Sequence, residues 1–99
     1  GTRARWVSAL GEAEGRAVAV LVLDHPDNPR HPTWWVARAD GLLAANPFAL
    51  HAFSDAPPAA GALGLLQGES LRLRYRLILA EGPLTAGDAE AAWSAYARR

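Results

Sequence analysis

Arg16-Ala17-Val18-Ala19-Val20-Leu21-Val22-Leu23-Asp24 is the stretch that decides the fold class of this chain. Val18, Val20 and Val22 alternate with Ala17, Ala19, Leu21 and Leu23, so an extended backbone would be apolar on both faces. β-Branched residues at every second position favour a strand, and a strand apolar on both sides is predicted to lie centrally and to be covered on both sides. Upstream, Arg3 to Leu10 alternates loosely around Trp6 and Val7 and stops at Gly11-Glu12-Ala13-Glu14-Gly15. Two glycines around small or acidic residues predict a hairpin loop longer than two residues.

Downstream the character changes abruptly. Asp24-His25-Pro26-Asp27-Asn28-Pro29-Arg30-His31-Pro32-Thr33 packs two acids, two histidines, an asparagine, an arginine and three prolines into ten residues, and Trp34, Trp35 and Arg38 follow. Each proline fixes its own φ and pushes the residue before it towards extended backbone. The loop is therefore predicted to be stiff without regular hydrogen bonding, which suits holding polar groups in place.

Thr33 to Ala39 reads as a short strand, Asp40-Gly41 as a turn, Leu42 to Leu50 as an apolar segment interrupted by Asn46-Pro47, and His51 to Gly61 as a loop. Leu71, Leu73, Tyr75, Leu77 and Leu79 alternate with Arg72, Arg74, Arg76, Ile78 and Ala80. That period of two predicts a strand with its leucines inside and its arginines outside. Thr85 with Asp88 three residues on predicts a helix N-terminus closed by a capping box, and Ala89, Ala92, Trp93 and Tyr96 recur at helical spacing behind it. Strands that outnumber helices about five to one, joined by turns, predict a mainly β chain: an antiparallel β-sandwich with one C-terminal α-helix.

Composition narrows the function classes. Ninety-nine residues allow one domain, residues 1–99. Ten arginines, with no lysine, balance ten acidic residues, so no whole-protein field draws the chain to nucleic acid or to an anionic membrane. With no cysteine, disulfides and thiolate metal ligands are excluded. No apolar run approaches the roughly 20 residues of a membrane-spanning helix, and no signal peptide is visible; the cytoplasm is the expected location, with secretion left open. Absence of methionine at position 1 suggests a piece of a longer protein. A glycine-rich phosphate loop, a G-x-S-x-G elbow and an H-E-x-x-H pair are all missing.

Candidate chemistry centres on the proline loop. His25 and His31 are candidate acid/base groups, with Asp24 or Asp27 orienting an imidazole; equally, both histidines could simply tie the loop down. Their spacing is no known metal motif, and a third ligand would have to come from elsewhere, such as His51. Arg30 and Arg38 are candidates to grip an oxyanion or pair with nearby acids, and Asn28 and Asn46 to bond hydroxyls or the loop. Trp34 and Trp35 fall on opposite faces of a strand, so one could stack on a sugar ring and the other fill the core.

The run His25-Pro26-Asp27-Asn28-Pro29-Arg30-His31-Pro32-Thr33, then Trp35, Arg38, Gly41 and Asn46-Pro47-Phe48, resembles the C-terminal portion of the PmoA family, bacterial proteins labelled methane oxygenase PmoA. Gly68 to Arg76 is similar to the family's next strand, and Trp93 to Tyr96 to its terminus. The resemblance spans essentially the whole chain. It implies the C-terminal third of a longer β-sandwich similar to the galactose mutarotase group, with a link to sugar metabolism.

By that match His25, Asn28, Arg30, His31, Arg38 and Asn46 are site or site-support residues. His31 and His25 stand as catalytic candidates, and Asn28, Arg30, Trp35, Arg38 and Asn46 as substrate-binding ones. The expected partner is a small carbohydrate, with the rest of a longer chain or a second copy against the two-sided apolar strand. Metal ligands are not assigned and the cofactor is unknown. Three functions compete: acid/base processing of a carbohydrate, noncatalytic carbohydrate binding, and the metal-dependent oxidoreductase that the family label names.

Overall fold

The computed structural model describes residues 2–37, 43–47 and 65–99. Its elements in chain order are strands β1 (Thr2–Arg3), β2 (Trp6–Ala13), β3 (Arg16–Asp24), β4 (Trp34–Ala37), β5 (Leu43–Asn46) and β6 (Tyr75–Glu81), then helix α1 (Ala86–Ala97). They form two three-stranded antiparallel sheets, ordered β1-β4-β5 and β2-β3-β6. Among the described residues the chain is thus mainly β with one C-terminal helix, consistent with a small β-sandwich.

β3 is the central strand of its sheet, as its apolar run requires. The β2–β3 hairpin is tighter than expected. Ala13 pairs with Arg16, leaving only Glu14 and Gly15 in the loop, at φ of 53° and 77°. Two consecutive left-handed residues make the turn whose twist matches paired strands, and Gly15 adopts that region without penalty.

Helix α1 starts as its sequence predicts. Asp88 N–H donates to Thr85 Oγ1 (3.0 Å), and Thr85 N–H donates to Asp88 Oδ2 (3.1 Å). The helix covers one face of the β2-β3-β6 sheet. Leu21, Leu23, Ala89 and Tyr96 form the buried cluster there, with Trp6, Ile78, Leu84, Ala92 and Trp93 packed around it. Removing such side chains from water stabilises the fold by roughly 2 kcal/mol each.

On the opposite face Val18, Val20 and Val22 are half-buried, and Leu77 and Leu79 remain 64% and 67% exposed. Among the described residues β3 is therefore covered on one side, not both. β6 also reverses the expected orientation: its strand begins only at Tyr75, and its leucines point away from the helix. The cause is register. Leu77 pairs with Val22, and Ile78 with Leu21, so Ile78 joins the buried side of the sheet. Because side chains alternate strictly, Arg76 follows Ile78 onto the helix side, where its guanidinium carbon lies 4.8 Å from the Tyr96 ring centroid.

Two short connections tie the sheets together. Ala4 and Arg5 join β1 to β2, and the proline loop joins β3 to β4. Between them Ala4 N–H donates to Thr33 O (3.1 Å), Asp24 N–H to Arg5 O (2.9 Å) and Trp35 Nε1–H to Ala4 O (2.7 Å). No helix among the described residues is long and apolar enough to cross a membrane.

Leu23→Ala should lower unfolding free energy by about 3 kcal/mol, since it opens a cavity in the buried cluster, whereas Leu79→Ala should cost less than about 0.5 kcal/mol. Urea titrations of the two variants read this contrast; equal losses would overturn the assignment of faces.

Candidate functional site

The proline loop folds on two turns of its own backbone, Asn28 N–H to His25 O (3.0 Å) and His31 N–H to Asn28 O (3.2 Å). Arg30 sits at φ 63° and the His31–Pro32 peptide is cis. Arg3 holds the loop from outside, its Nε–H donating to Pro32 O (2.9 Å) and its Nη2–H to Arg30 O (3.2 Å). Stiffness alone does not aim a side chain; the hydrogen bonds to Asp24 do.

Asp24 has no exposed surface. Its Oδ1 accepts from Asn28 Nδ2–H (2.7 Å), while Oδ2 accepts from Thr33 N–H (3.1 Å) and meets His31 Nδ1 at 2.6 Å. A buried carboxylate needs donors on both oxygens, so the His31 proton is assigned to Nδ1. That leaves Nε2 as the acceptor of the neutral ring, with no hydrogen-bond partner among the described residues. The His31 side chain keeps 14% of its surface open to solvent. A carboxylate fixing the tautomer of a partly open imidazole is the arrangement by which proteins prepare a histidine for proton transfer.

Two further side chains, Trp93 and Asn28, fix the pair. Trp93 Nε1–H donates to Asp24 O (2.8 Å), and its ring stacks on His31 at 5.8 Å between centroids and 11° between planes. Asn28 satisfies two elements at once. Besides Asp24 it donates Nδ2–H to Arg74 O (2.6 Å) and accepts Arg74 N–H at Oδ1 (2.7 Å), bonding the backbone just before β6 as a neighbouring strand would. His25 N–H adds a bond to Arg74 O (3.3 Å).

Beside the loop lies an open cleft of about 510 Å³ lined by Arg3, Ala4, Arg5, Trp6, Pro32 and Glu90. Glu90 Oε1 accepts from Arg5 Nη2–H (2.6 Å) and Trp6 Nε1–H (2.8 Å). The Trp6 indole N–H above all, helped by the Arg5 guanidinium, holds the Glu90 carboxyl below its ordinary value against the opposing effect of desolvation. His31 is not in the lining of the cleft; the cleft meets the loop at Pro32, next to His31 in sequence, and the Arg5 guanidinium carbon lies 4.8 Å from the centroid of the Trp93 ring that stacks on His31. Burial, then the Asp24 charge, raise the Tyr75 phenol; burial also raises Tyr96, against the opposing pull of Arg74 and Arg76.

The sequence-predicted residues divide. Asp24, Asn28 and His31 come together. Arg30 contributes its carbonyl to the Arg3 clamp, and Asn46 ends β5 opposite Trp34, on the other sheet. His25 does not serve as a surface acid or base: it is 1% exposed, its Nδ1 accepts from Asp27 N–H (3.1 Å), and its ring meets Tyr96 edge to face at 5.0 Å. Its Nε2 and Thr33 Oγ1 are buried without a hydrogen-bond partner among the described residues. Trp35 is 6% exposed with its N–H bonded to Ala4 O, which makes it a core side chain rather than a stacking platform. Arg38 and His51 lie outside the described residues. Among those described, no group of three His, Cys, Asp or Glu could hold a metal ion. Sequence reasoning missed Arg3, Arg5, Trp6 and Glu90: the first three are near neighbours at the start of the chain, but nothing local links them to Glu90 on the helix.

The chain belongs to DUF6807, a family of unknown function whose model matches residues 1–94. No curated protein and no solved structure matches it.

Asn28→Ala strips partners from Asp24 Oδ1 and from both backbone groups of Arg74, and should cost about 3 kcal/mol in urea unfolding; a loss under about 0.5 kcal/mol would show that these bonds are dispensable. Acid should act through Glu90. A carboxyl held below its ordinary 4.5 stabilises the fold above that pH and loses the contribution as pH falls through the folded-state value. Stability measured at pH 6 and pH 3 should therefore fall less in Glu90→Gln than in the unaltered protein; an equal fall would remove Glu90 from the acid response.

Proposed function

We propose that this DUF6807 protein binds a carbohydrate in the cleft beside the proline loop and acts on it by acid/base chemistry, with His31 as the proton-transferring group and Asp24 as its orienting partner. The observation that carries the reading is the 2.6 Å contact between a fully buried carboxylate and a histidine that still reaches solvent. His31 Nε2 would take a proton from a sugar hydroxyl, or from a carbon next to a carbonyl, and return it; Asp24 stabilises the imidazolium formed between the two steps. The lining supports a sugar as ligand: Arg3, Arg5 and Glu90 offer donors and acceptors for hydroxyls, next to the half-buried ring of Trp6. The resemblance of the loop to the PmoA family supports the same substrate class.

His31→Gln keeps a polar side chain of similar reach but cannot shuttle a proton. With aldoses and uronic acids followed by proton NMR in heavy water, anomer interconversion or solvent exchange at carbon should fall about 10²- to 10⁴-fold in this variant while sugar binding persists. Undiminished turnover in His31→Gln would remove the acid/base role and leave a noncatalytic binding site.

A further inference from the structure

Building on the carbohydrate reading of the same cleft, we propose that its ligand is anionic, a sugar bearing a carboxylate or a phosphate, and that Arg3 is the residue that grips the charge. Three side chains carry formal charge among those lining the cleft: Arg3, Arg5 and Glu90. Arg5 is neutralised by Glu90 at 2.6 Å. Arg3 forms no ion pair with any described residue, so two guanidiniums and one carboxylate leave one positive charge, and it resides on Arg3.

Arg3 is also prepared geometrically. Its Nε–H and one Nη2–H are taken by the carbonyls of Pro32 (2.9 Å) and Arg30 (3.2 Å). Those two donors form one edge of the planar guanidinium. The other edge, between Nη1 and Nη2, keeps two parallel N–H groups, the fork that matches the two oxygens of a carboxylate or phosphate. An arginine already held by main-chain carbonyls loses less side-chain freedom on binding than a loose one. Glu90 limits where the anion sits: its own negative charge favours an oxyanion on the Arg3 side, with the body of the ligand towards Trp6 and Pro32. The carbonyls that hold Arg3 belong to Arg30 and Pro32, on either side of His31 in sequence, so a ligand anchored there is held against the loop that carries the acid/base dyad.

The test is a set of titrations of the protein with sodium glucuronate, glucose, glucose 6-phosphate and inorganic phosphate, followed by ligand-observed NMR at low and high salt. Glucuronate or glucose 6-phosphate should bind at least tenfold more tightly than glucose, with the advantage shrinking as salt rises. A preference for glucose 6-phosphate, with competition by inorganic phosphate, assigns the anchor to a phosphate; a preference for glucuronate without such competition assigns it to a carboxylate.

Arg3→Gln should weaken the anionic sugar roughly ten- to hundredfold. Glu90→Gln, which leaves a second positive charge in the cleft, should tighten it, and this arm decides if Arg3→Gln disturbs the loop. Glucose binding as tightly as both acidic sugars would overturn the anionic ligand while leaving the carbohydrate reading intact. Failure of all four probes to bind would overturn both, and undiminished anion binding in Arg3→Gln, or no tightening in Glu90→Gln, would overturn the role given to Arg3.

Discussion

A carboxylate with no exposed surface organises this fold. Moving such a group out of water costs several kcal/mol unless hydrogen bonds replace its hydration. Asp24 obtains them from three places: Asn28 and His31 in the loop it begins, and the Thr33 backbone just before β4. Each donor arrives from a different direction, so satisfying the charge also dictates how the loop closes and where the second sheet starts. The same bonds that make burial tolerable set the tautomer of His31. Stability and candidate chemistry therefore have one origin.

The helix completes what the loop cannot. A proline-rich segment is stiff, yet its side chains can still rotate. Trp93 removes that freedom by stacking on the His31 ring and bonding the Asp24 carbonyl. Asn28 does the equivalent on the other side by binding Arg74 through both its amide atoms. One polar cluster thus joins β3, the approach to β6 and α1. Position, rather than any unusual residue type, separates His31 from His25. His31 faces the indole and keeps an open edge, whereas His25 is turned under the helix against Tyr96.

The cleft shows how charge can be placed without local sequence pattern. Arg3 ends β1, Arg5 lies in the connection to β2 and Glu90 is on the helix; Arg5 pairs with Glu90, and Arg3 has no ion pair among the described residues. Arg3 is bound instead to carbonyls of the proline loop, so the same guanidinium braces that loop and presents charge beside it.

How much of this was legible beforehand depends on the range of the cause. Strand and helix type, the Thr85–Asp88 cap, the antiparallel class and the special character of residues 24–33 follow from periodicity, capping chemistry and proline geometry, all acting within a few residues. The sequence also offers Asp24 or Asp27 as the acid that orients an imidazole, without choosing between them. What the sequence could not decide was which face of β6 turns inward, since leucine and arginine alternate there and either face satisfies the period. Pairing with Val22 and Leu21 chose Ile78 and Arg76 for the helix side. Nor could it separate His31 from His25, expose Trp35 as core, or gather Arg3, Arg5, Trp6 and Glu90. Those outcomes depend on residues far apart in the chain meeting in space, and only the packed tertiary structure brings them together.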